Sequence, residues 1–394
     1  MIYLLIALLL LFLSVRIDIN GKTDNENFWY SFVLVIFILV AGMRYRVGVD
    51  TTGAIYTFYH DTPDLYHVFD NMSLMNYPLW TLLKSFVFTI GGKWFWVQFI
   101  QSAFVNVLLF RYFKKHCQYI FTCLFFYYIW LYAAINFEEM KASFAVVLSL
   151  YSYDYILSKK YFKGFVLIFI GSLFHFSAIA ILPLAFMTFL RFNIFGVLLL
   201  VGSFILGHLL TSKVDDFILL MDYNDFITGK MEQYSESDRF FNREHTGILF
   251  YLIWVFPLIL YPMASLLFVK IKYRTHDLLK LEPYMLIGFF MVGFFASIVI
   301  FYRFVNFYVP IFILFVSQTI VDITKDQRKI TSGVSIFRSF CLCSLFFLNI
   351  YVVNKERIDK FYPYSSVIER KVYKSKEKKF STDRVVPRPR YDEY

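Results

Sequence analysis

The chain has 394 residues, of which 59% are hydrophobic, 22% are aromatic and only 17% are charged. A soluble domain carries about 25% charged residues, and the mean hydropathy of this chain is +0.57. Apolar runs of this number and length cannot all be hidden in one soluble core. The composition therefore excludes an ordinary soluble protein and predicts a polytopic membrane protein.

Apolar runs along the chain predict about 12 transmembrane helices. They lie near residues 2–15, 28–43, 94–112, 119–136, 140–157, 161–176, 177–190, 194–210, 248–269, 285–302, 305–321 and 334–353. Because backbone polar groups must be satisfied internally in lipid, these runs predict an all-α polytopic membrane helix bundle over residues 1–353. A further apolar stretch, 78–92, is predicted to form an amphipathic helix at the membrane surface.

The charges of the connecting segments predict the orientation. Segments 111–118 and 158–163 each have a net charge of +3 and are expected in the cytoplasm, where membrane proteins concentrate Lys and Arg. Loops 44–93 and 211–247 are expected outside; the second carries eight acids against four bases. The tail, 354–394, is predicted to be basic and disordered. Alternation of the spans places it outside, whereas its charge favours the inside, and the sequence leaves its side open.

The first cluster of polar residues runs from Arg44 through Arg46 to Asp50, directly after the second predicted helix. Two arginines on the outer side oppose the usual charge bias. They are suited to clamping a phosphate, because the guanidinium group can bind it with two parallel hydrogen bonds. The alternative is that they reach lipid phosphates or pair with loop carboxylates.

Two further clusters lie at the same predicted face. Glu138, Glu139 and Lys141 separate two helices, and a cation at a helix start opposes the helix dipole, which favours a ligand-facing role for Lys141. The alternative is a short charged turn with a Glu–Lys pair. His175 lies where two apolar runs meet. It is either a site residue or a hydrogen-bonded packing residue.

The remaining candidates are arginines. Arg303 lies between two apolar segments on the outer side, where an unpaired charge is costly. Arg239 and Arg243 precede a predicted helix and form either a lid or a solvated face. The sequence contains no metal-ligand spacing, phosphate-binding glycine pattern or nucleophile elbow. No metal, cofactor or nucleic acid is therefore predicted, and the largely cationic set suits an anionic, membrane-anchored ligand.

The clusters resemble, in this order, those of the EpsG family of Wzy-type polysaccharide polymerases. Arg44 or Arg46 with Gly48 and Asp50 resembles the family's Arg and Gly-Thr-Asp-Tyr, although Val49 and Thr51 replace the Thr and Tyr. Lys141-Ala142 stands where the family has Arg-Gln, which removes the bidentate fork. The step Leu173-Phe174-His175-Phe176-Ser177-Ala178, the pair Tyr302-Arg303 and the pair Pro78-Leu79 also match. The resemblance extends over about residues 1–321.

The resemblance implies a GT-C-like, multi-pass glycosyltransferase of the cytoplasmic (inner) membrane. Such an enzyme polymerises polyprenyl-diphosphate-linked oligosaccharide repeat units into exopolysaccharide, capsule or O-antigen on the outer face. Its expected partners are the lipid-linked oligosaccharide, the bilayer, and a chain-length regulator and flippase of the same pathway. The alternatives are a flippase or transporter of lipid-linked oligosaccharides and a membrane O-acyltransferase that uses His175.

The expected reaction distributes roles among the candidate residues. Cations would stabilise the charge on the departing diphosphate, with Arg46 and Arg303 in this role and Arg44 and Lys141 in support. A carboxylate would accept the proton of the attacking hydroxyl. Asp50 is the predicted base, with Glu139 or Glu138 behind it and His175 as a possible proton shuttle.

Overall fold

The computed structural model describes residues 2–48, 51–70, 77–211, 256–273, 276–295, 299–325 and 364–368. The described chain is helical and has no β-strand, apart from an isolated antiparallel bridge between Arg44 and Ser366. The predicted all-α fold is confirmed. The chain forms two compact units, Met1–Leu182 with Val321–Tyr394, and Pro183–Ile320.

The first unit contains long helices joined by short turns. Its helices are α1 Ile2–Leu13, α2 Glu26–Gly42, α3 Thr51–His60, α4 Pro78–Thr89, α5 Trp94–His116, α6 Ile120–Tyr127, α7 Met140–Leu157 and α8 Tyr161–Phe174. Three π-helical segments, which are rare and often occur at functional sites, adjoin them: Ser14–Ile19 after α1, and Tyr128–Tyr132 and Ala134–Glu138 after α6. A 3₁₀ turn, Phe176–Ile181, follows α8.

The helices of the second unit pack through small residues and one buried carboxylate. They are α9 Leu182–Phe186, which begins at the boundary, α10 Ile194–Thr211, α11 Phe256–Lys272, α12 Glu282–Phe295 and α13 Val309–Lys325, whose last residues, from Val321, belong to the first unit. The 3₁₀ turns are Asp277–Leu281 and Val299–Phe307. A Cβ atom at Gly207 would overlap the Phe294 carbonyl, so α10 and α12 need glycine there. Glu282 is buried and binds Lys270 at 2.7 Å, which ties α11 to α12.

Most predicted apolar runs form helices, but their lengths differ. The run predicted at 177–190 is a 3₁₀ turn followed by a five-residue helix, α9. The stretch predicted at 78–92 is helical as α4, whereas α3 lies in the predicted loop 44–93 and was not expected. Loop 211–247, apart from residue 211, and run 334–353 lie outside the described residues.

Within the described chain, one helical stretch is long and apolar enough to cross a membrane by length and composition. It is Ile2–Ile19, and five shorter helices are also apolar. The prediction of about 12 spans, the membrane-surface position of α4 and the GT-C-like arrangement therefore remain predictions.

A short C-terminal segment departs from the predicted disordered tail, 354–394. Residues 364–368 lie against the chain that follows α2, where the Tyr45 amide donates to the Ser365 carbonyl at 2.9 Å and the Val367 amide donates to the Met43 carbonyl at 2.9 Å. Ser365 and Val367 are buried. The apolar surface that Val367 and Tyr364 bury stabilises this segment on the first unit. The remainder of the tail lies outside the described residues.

A closed ring of three hydrogen bonds joins α5 to the π-helical chain after α6. Asn106 donates to the Asn136 side-chain oxygen at 2.8 Å, Asn136 donates to the Tyr127 hydroxyl at 3.0 Å, and Tyr127 donates to the Asn106 side-chain oxygen at 2.8 Å. All three side chains are fully buried. Asn136 also donates to the Tyr132 carbonyl within the π-helical chain. A satisfied polar network in an apolar core specifies one packing arrangement, so the ring fixes the π-helical chain on α5.

We predict that Asn136→Ala lowers the free energy of unfolding by about 1–3 kcal/mol, because Asn106 and Tyr127 would then be buried without their partner. Thermal unfolding of the purified protein in detergent measures the change. Asn27→Ala is the matched control, since Asn27 is exposed and accepts a single bond from Lys114. An Asn136 variant as stable as the Asn27 variant would contradict a specifying role for the ring.

Candidate functional site

Arg44 is fully buried where α2 ends, with 1% of its surface exposed. Its guanidinium group donates to the carbonyls of Val47 and Ala41 and to the Met140 sulfur, and it lies 5.0 Å from the centre of the Phe137 ring. Burial lowers the pKa of Arg44 to about 10, which still leaves it charged at neutral pH. Arg44 therefore holds the turn after α2 against the start of α7.

The turn after α2 depends on a glycine. Gly48 has a φ of +113°, and a Cβ atom there would lie 2.8 Å from the Phe137 carbonyl oxygen. The Thr51 hydroxyl, at the start of α3, donates to the Val47 carbonyl at 2.8 Å and closes the turn from the other side. A side chain at Gly48 would thus push this turn away from the π-helical chain.

The same π-helical chain leads into the second polar cluster. Gln101 of α5 donates to the Ile135 carbonyl at 3.3 Å and to the Ser143 hydroxyl at 2.9 Å. These bonds hold the chain on both sides of Glu138 and Glu139. Glu139 is the residue before α7, and its side chain does not cap that helix. The first-turn amides of α7 are therefore not capped by this carboxylate.

Lys141, Tyr77 and His175 form a stack. The Lys141 ammonium group lies 4.4 Å from the centre of the Tyr77 ring. Tyr77 also contacts His175, whose ring lies parallel to it within 6° at a centroid distance of 5.0 Å. The cation–π contact stabilises a lysine that the dipole of α7 disfavours. Three segments that are distant in sequence therefore contribute to one cationic and aromatic surface.

The hydrogen bonds of His175 fix its tautomer. The Ser177 backbone amide donates to Nδ1 at 3.3 Å, and the Ser177 hydroxyl lies 2.5 Å from the same nitrogen. Because Nδ1 accepts from an amide, the neutral ring carries its proton on Nε2. In this state Nε2 carries a proton, so it can donate a hydrogen bond to an oxygen atom but cannot accept a proton from a substrate.

Five helix termini meet around these residues. The end of α2 and the start of α7 meet at Arg44, and the start of α4 meets the end of α8 where Tyr77 stacks on His175. The start of α3 closes the turn after α2. Below them lies an apolar cluster built from Ile55, Phe58, Trp80, Val87, Trp94, Val97, Met140 and Phe144. Three of the termini are N-termini, which add partial positive charge to the side-chain cations and favour an anion.

The other predicted site residues are placed as follows. Arg46 is largely buried in the turn after α2, has a φ of +52° and lies 5.4 Å from the centre of the Tyr45 ring. Arg303 is exposed on a 3₁₀ turn of the second unit. Asp50, Arg239 and Arg243 lie outside the described residues. The first unit thus brings together Arg44, Arg46, Glu138, Glu139, Lys141 and His175.

Three residues of this surface were not predicted from the sequence. Phe137 and Met140 contact the Arg44 guanidinium, and Tyr77 contacts both Lys141 and His175. The only sequence signal for Tyr77 is its position before Pro78, which excludes it from the helix that follows. Aromatic and Met residues are too common in this chain to stand out without their neighbours.

We predict that Gly48→Ala destabilises the protein by about 1–3 kcal/mol, because the new Cβ meets the Phe137 carbonyl and the backbone is strained at positive φ. Denaturant unfolding in detergent measures the loss. Gly53→Ala in α3 is the control, since nothing lies within 4 Å of a Cβ at that position. Equal stability of the two variants would mean that the turn does not need this close approach.

Comparison with known proteins assigns the chain to a family. The EpsG family matches residues 27–366, which include all the site residues described above and end within the C-terminal segment at 364–368. No curated protein and no solved structure matches the chain. EpsG proteins are membrane proteins of the polysaccharide polymerase type. The match extends over far more than half of the sequence, and the chain therefore belongs to the EpsG family.

Proposed function

We propose that the protein is a glycosyltransferase that polymerises polyprenyl-diphosphate-linked oligosaccharide repeat units on the outer face of the cytoplasmic membrane. In this reaction a hydroxyl group of the acceptor oligosaccharide attacks the anomeric carbon of the donor. The bond between that carbon and the diphosphate oxygen breaks, the hydroxyl proton passes to a base, and polyprenyl diphosphate leaves. Family membership supports the polymerase class, and the geometry of the first unit supports the diphosphate.

The observation that carries this proposal is the stack of Lys141, Tyr77 and His175 beside the turn held by Arg44. A departing diphosphate gains negative charge, which preorganised donors and cations stabilise. Lys141 supplies a charge, the neutral His175 supplies its Nε2 proton as a hydrogen-bond donor, and the start of α7 supplies backbone amides. The proton-shuttle role expected of His175 from the sequence stays a prediction.

The two arginines after α2 have different roles in this proposal. Arg44 is buried, and its guanidinium group donates hydrogen bonds to Val47, Ala41 and Met140. It therefore supports the turn and contributes a positive electrostatic potential from a distance. Arg46 is the direct diphosphate ligand in the turn, as proposed from the sequence. Arg303, on the second unit, and Arg239 and Arg243 stay predictions from the sequence, as a diphosphate ligand and as lid residues.

The general base is a carboxylate near this turn. Gly48 and Thr51 fix both ends of the short segment that contains Asp50, which makes Asp50 the proposed base. Glu139, at the start of α7 beside Lys141, is the second candidate. A carboxylate needs only to lie within hydrogen-bond reach of the acceptor hydroxyl, with its pKa adjusted by its surroundings.

The outward surface of α8 suits the lipid part of the substrate. Phe162, Phe165 and Phe169 are exposed on this helix, and Phe176 is exposed directly after His175. The exposed rings follow α8 along its length and end beside the candidate site. Such a surface contacts acyl or polyprenyl chains, and it would let the lipid remain in the bilayer while its diphosphate reaches Lys141.

We predict that deletion of the gene replaces long surface glycan chains with single repeat units, as seen by gel electrophoresis of the glycan. Complementation with Arg46→Ala or Asp50→Asn should fail although the protein accumulates in the membrane. Lys163→Ala is the control, because Lys163 lies at the opposite end of α8 and also faces a tyrosine ring, that of Tyr155. Loss of all surface glycan on deletion would instead favour a flippase.

We predict that Lys141→Arg and Tyr77→Phe retain polymer of normal length, since each keeps the cation or the aromatic face. Lys141→Met and Tyr77→Ala should reduce polymer by at least about tenfold, the factor that about 1.4 kcal/mol of lost charge stabilisation produces. Glycan chain length and membrane protein level are measured together. Full-length polymer from the Lys141→Met variant would remove Lys141 from the site.

A further inference from the structure

The segment at residues 364–367 binds the chain that carries the two site arginines. Besides the two backbone hydrogen bonds to Met43 and Tyr45, the Ser365 hydroxyl donates to the Tyr45 carbonyl at 2.7 Å. The Tyr364 hydroxyl donates to the Val40 carbonyl in the last turn of α2 at 3.0 Å. The Tyr364 ring also packs edge-on against Tyr3 of α1 at 5.9 Å. These bonds hold residues 40–45 in place.

The end of α13 lies at the other end of the first unit. The Lys325 ammonium group is 4.4 Å from the centre of the Tyr119 ring, and Tyr119 donates to Asp322 at 3.0 Å. Tyr119 follows the C-terminal end of α5, whereas the start of α5 supplies Trp94 to the apolar cluster beneath the site. Helix α5 has 23 residues and is therefore about 34 Å long.

Residues 325 and 364 lie near opposite ends of α5 and are therefore separated by about this distance. The length is about that of a bilayer hydrocarbon core, and the interval contains the apolar run at 334–353. The α13 end is also the lysine-rich end, with Lys114 and Lys115 at the end of α5. That charge is typical of the cytoplasmic side. Residues 364–367 thus lie at the opposite, outer end.

We propose that residues 364–367 are a C-terminal clamp, an outer-face element that positions Arg44 and Arg46 for catalysis. The Arg44 side chain is held by Phe137 and Met140. The clamp holds the backbone on both sides of Arg44, at Met43 and Tyr45. The positioning role rests on the proposed function, whereas the side of the membrane does not.

Two truncations test the positioning role in the deletion strain. A chain that ends after residue 368 keeps the clamp and should support polymer of normal length. A chain that ends after residue 363 lacks it and should yield only single units. Full-length polymer from the shorter chain, or failure of the longer one with normal membrane level, would overturn the clamp.

A hydroxyl series separates positioning from folding. Ser365→Ala removes the bond to the Tyr45 carbonyl and should reduce polymer about threefold to tenfold, the factor expected from one lost hydrogen bond. Ser365→Thr keeps the hydroxyl group and should restore polymer, while Ile368→Ala, at an exposed position, is the control. Equal polymer from the Ala and Thr variants at equal membrane level would refute the positioning role of Ser365.

Cysteine labelling tests the side of the membrane independently of glycan. Ile368→Cys, at an exposed position directly after the clamp, is placed in a chain whose four native cysteines are replaced by serine, and intact spheroplasts are treated with a membrane-impermeant maleimide. Labelling without permeabilisation is expected, whereas a Lys160→Cys control in the predicted cytoplasmic turn should label only after permeabilisation. Protection of residue 368 until permeabilisation would overturn the proposal. If deletion of the gene leaves glycan length unchanged, the proposed function fails while this result still stands.

Discussion

The buried guanidinium group of Arg44 is the contact on which the candidate site depends. It joins the turn after α2, the π-helical Phe137 and the first residue of α7 through hydrogen bonds and a cation–π contact. A buried charge is costly unless its donors are satisfied, and Arg44 satisfies them with carbonyls and a sulfur. Because these partners come from separate segments, the guanidinium sets the distance between the turn and the start of α7.

The scaffold around this contact is built from polar groups inside an apolar bundle. The ring of Asn106, Asn136 and Tyr127 and the bonds of Gln101 fix the π-helical chain on α5. That chain leads directly into Glu138, Glu139 and Lys141 at the end of the bundle. Polar networks of this kind specify one arrangement where apolar packing alone would allow several. Buried hydrogen bonds in the core thus fix the positions of the charged side chains at the site.

Charge and aromatic surface are combined at the site. Lysine at the start of α7 is unfavourable for the helix, and the Tyr77 ring compensates for it. The resulting surface carries more positive than negative charge, which comes from the side chains and, as partial charge, from the helix N-termini. The ligand proposed for this surface is an anionic head group on a lipid, and the exposed Phe residues of α8 are proposed to contact the lipid itself.

The sequence by itself determined the helical class, the membrane character and the family, since composition and short motifs report them directly. It also identified Arg44, Arg46, Lys141 and His175 as unusual, because charged or polar groups in apolar surroundings are costly. Only the tertiary structure decided that Arg44 is a buried support, that Tyr77 contacts both Lys141 and His175, and that residues 364–367 bind the turn after α2. These features depend on contacts between segments far apart in the chain, and periodicity and local charge carry no information about such contacts.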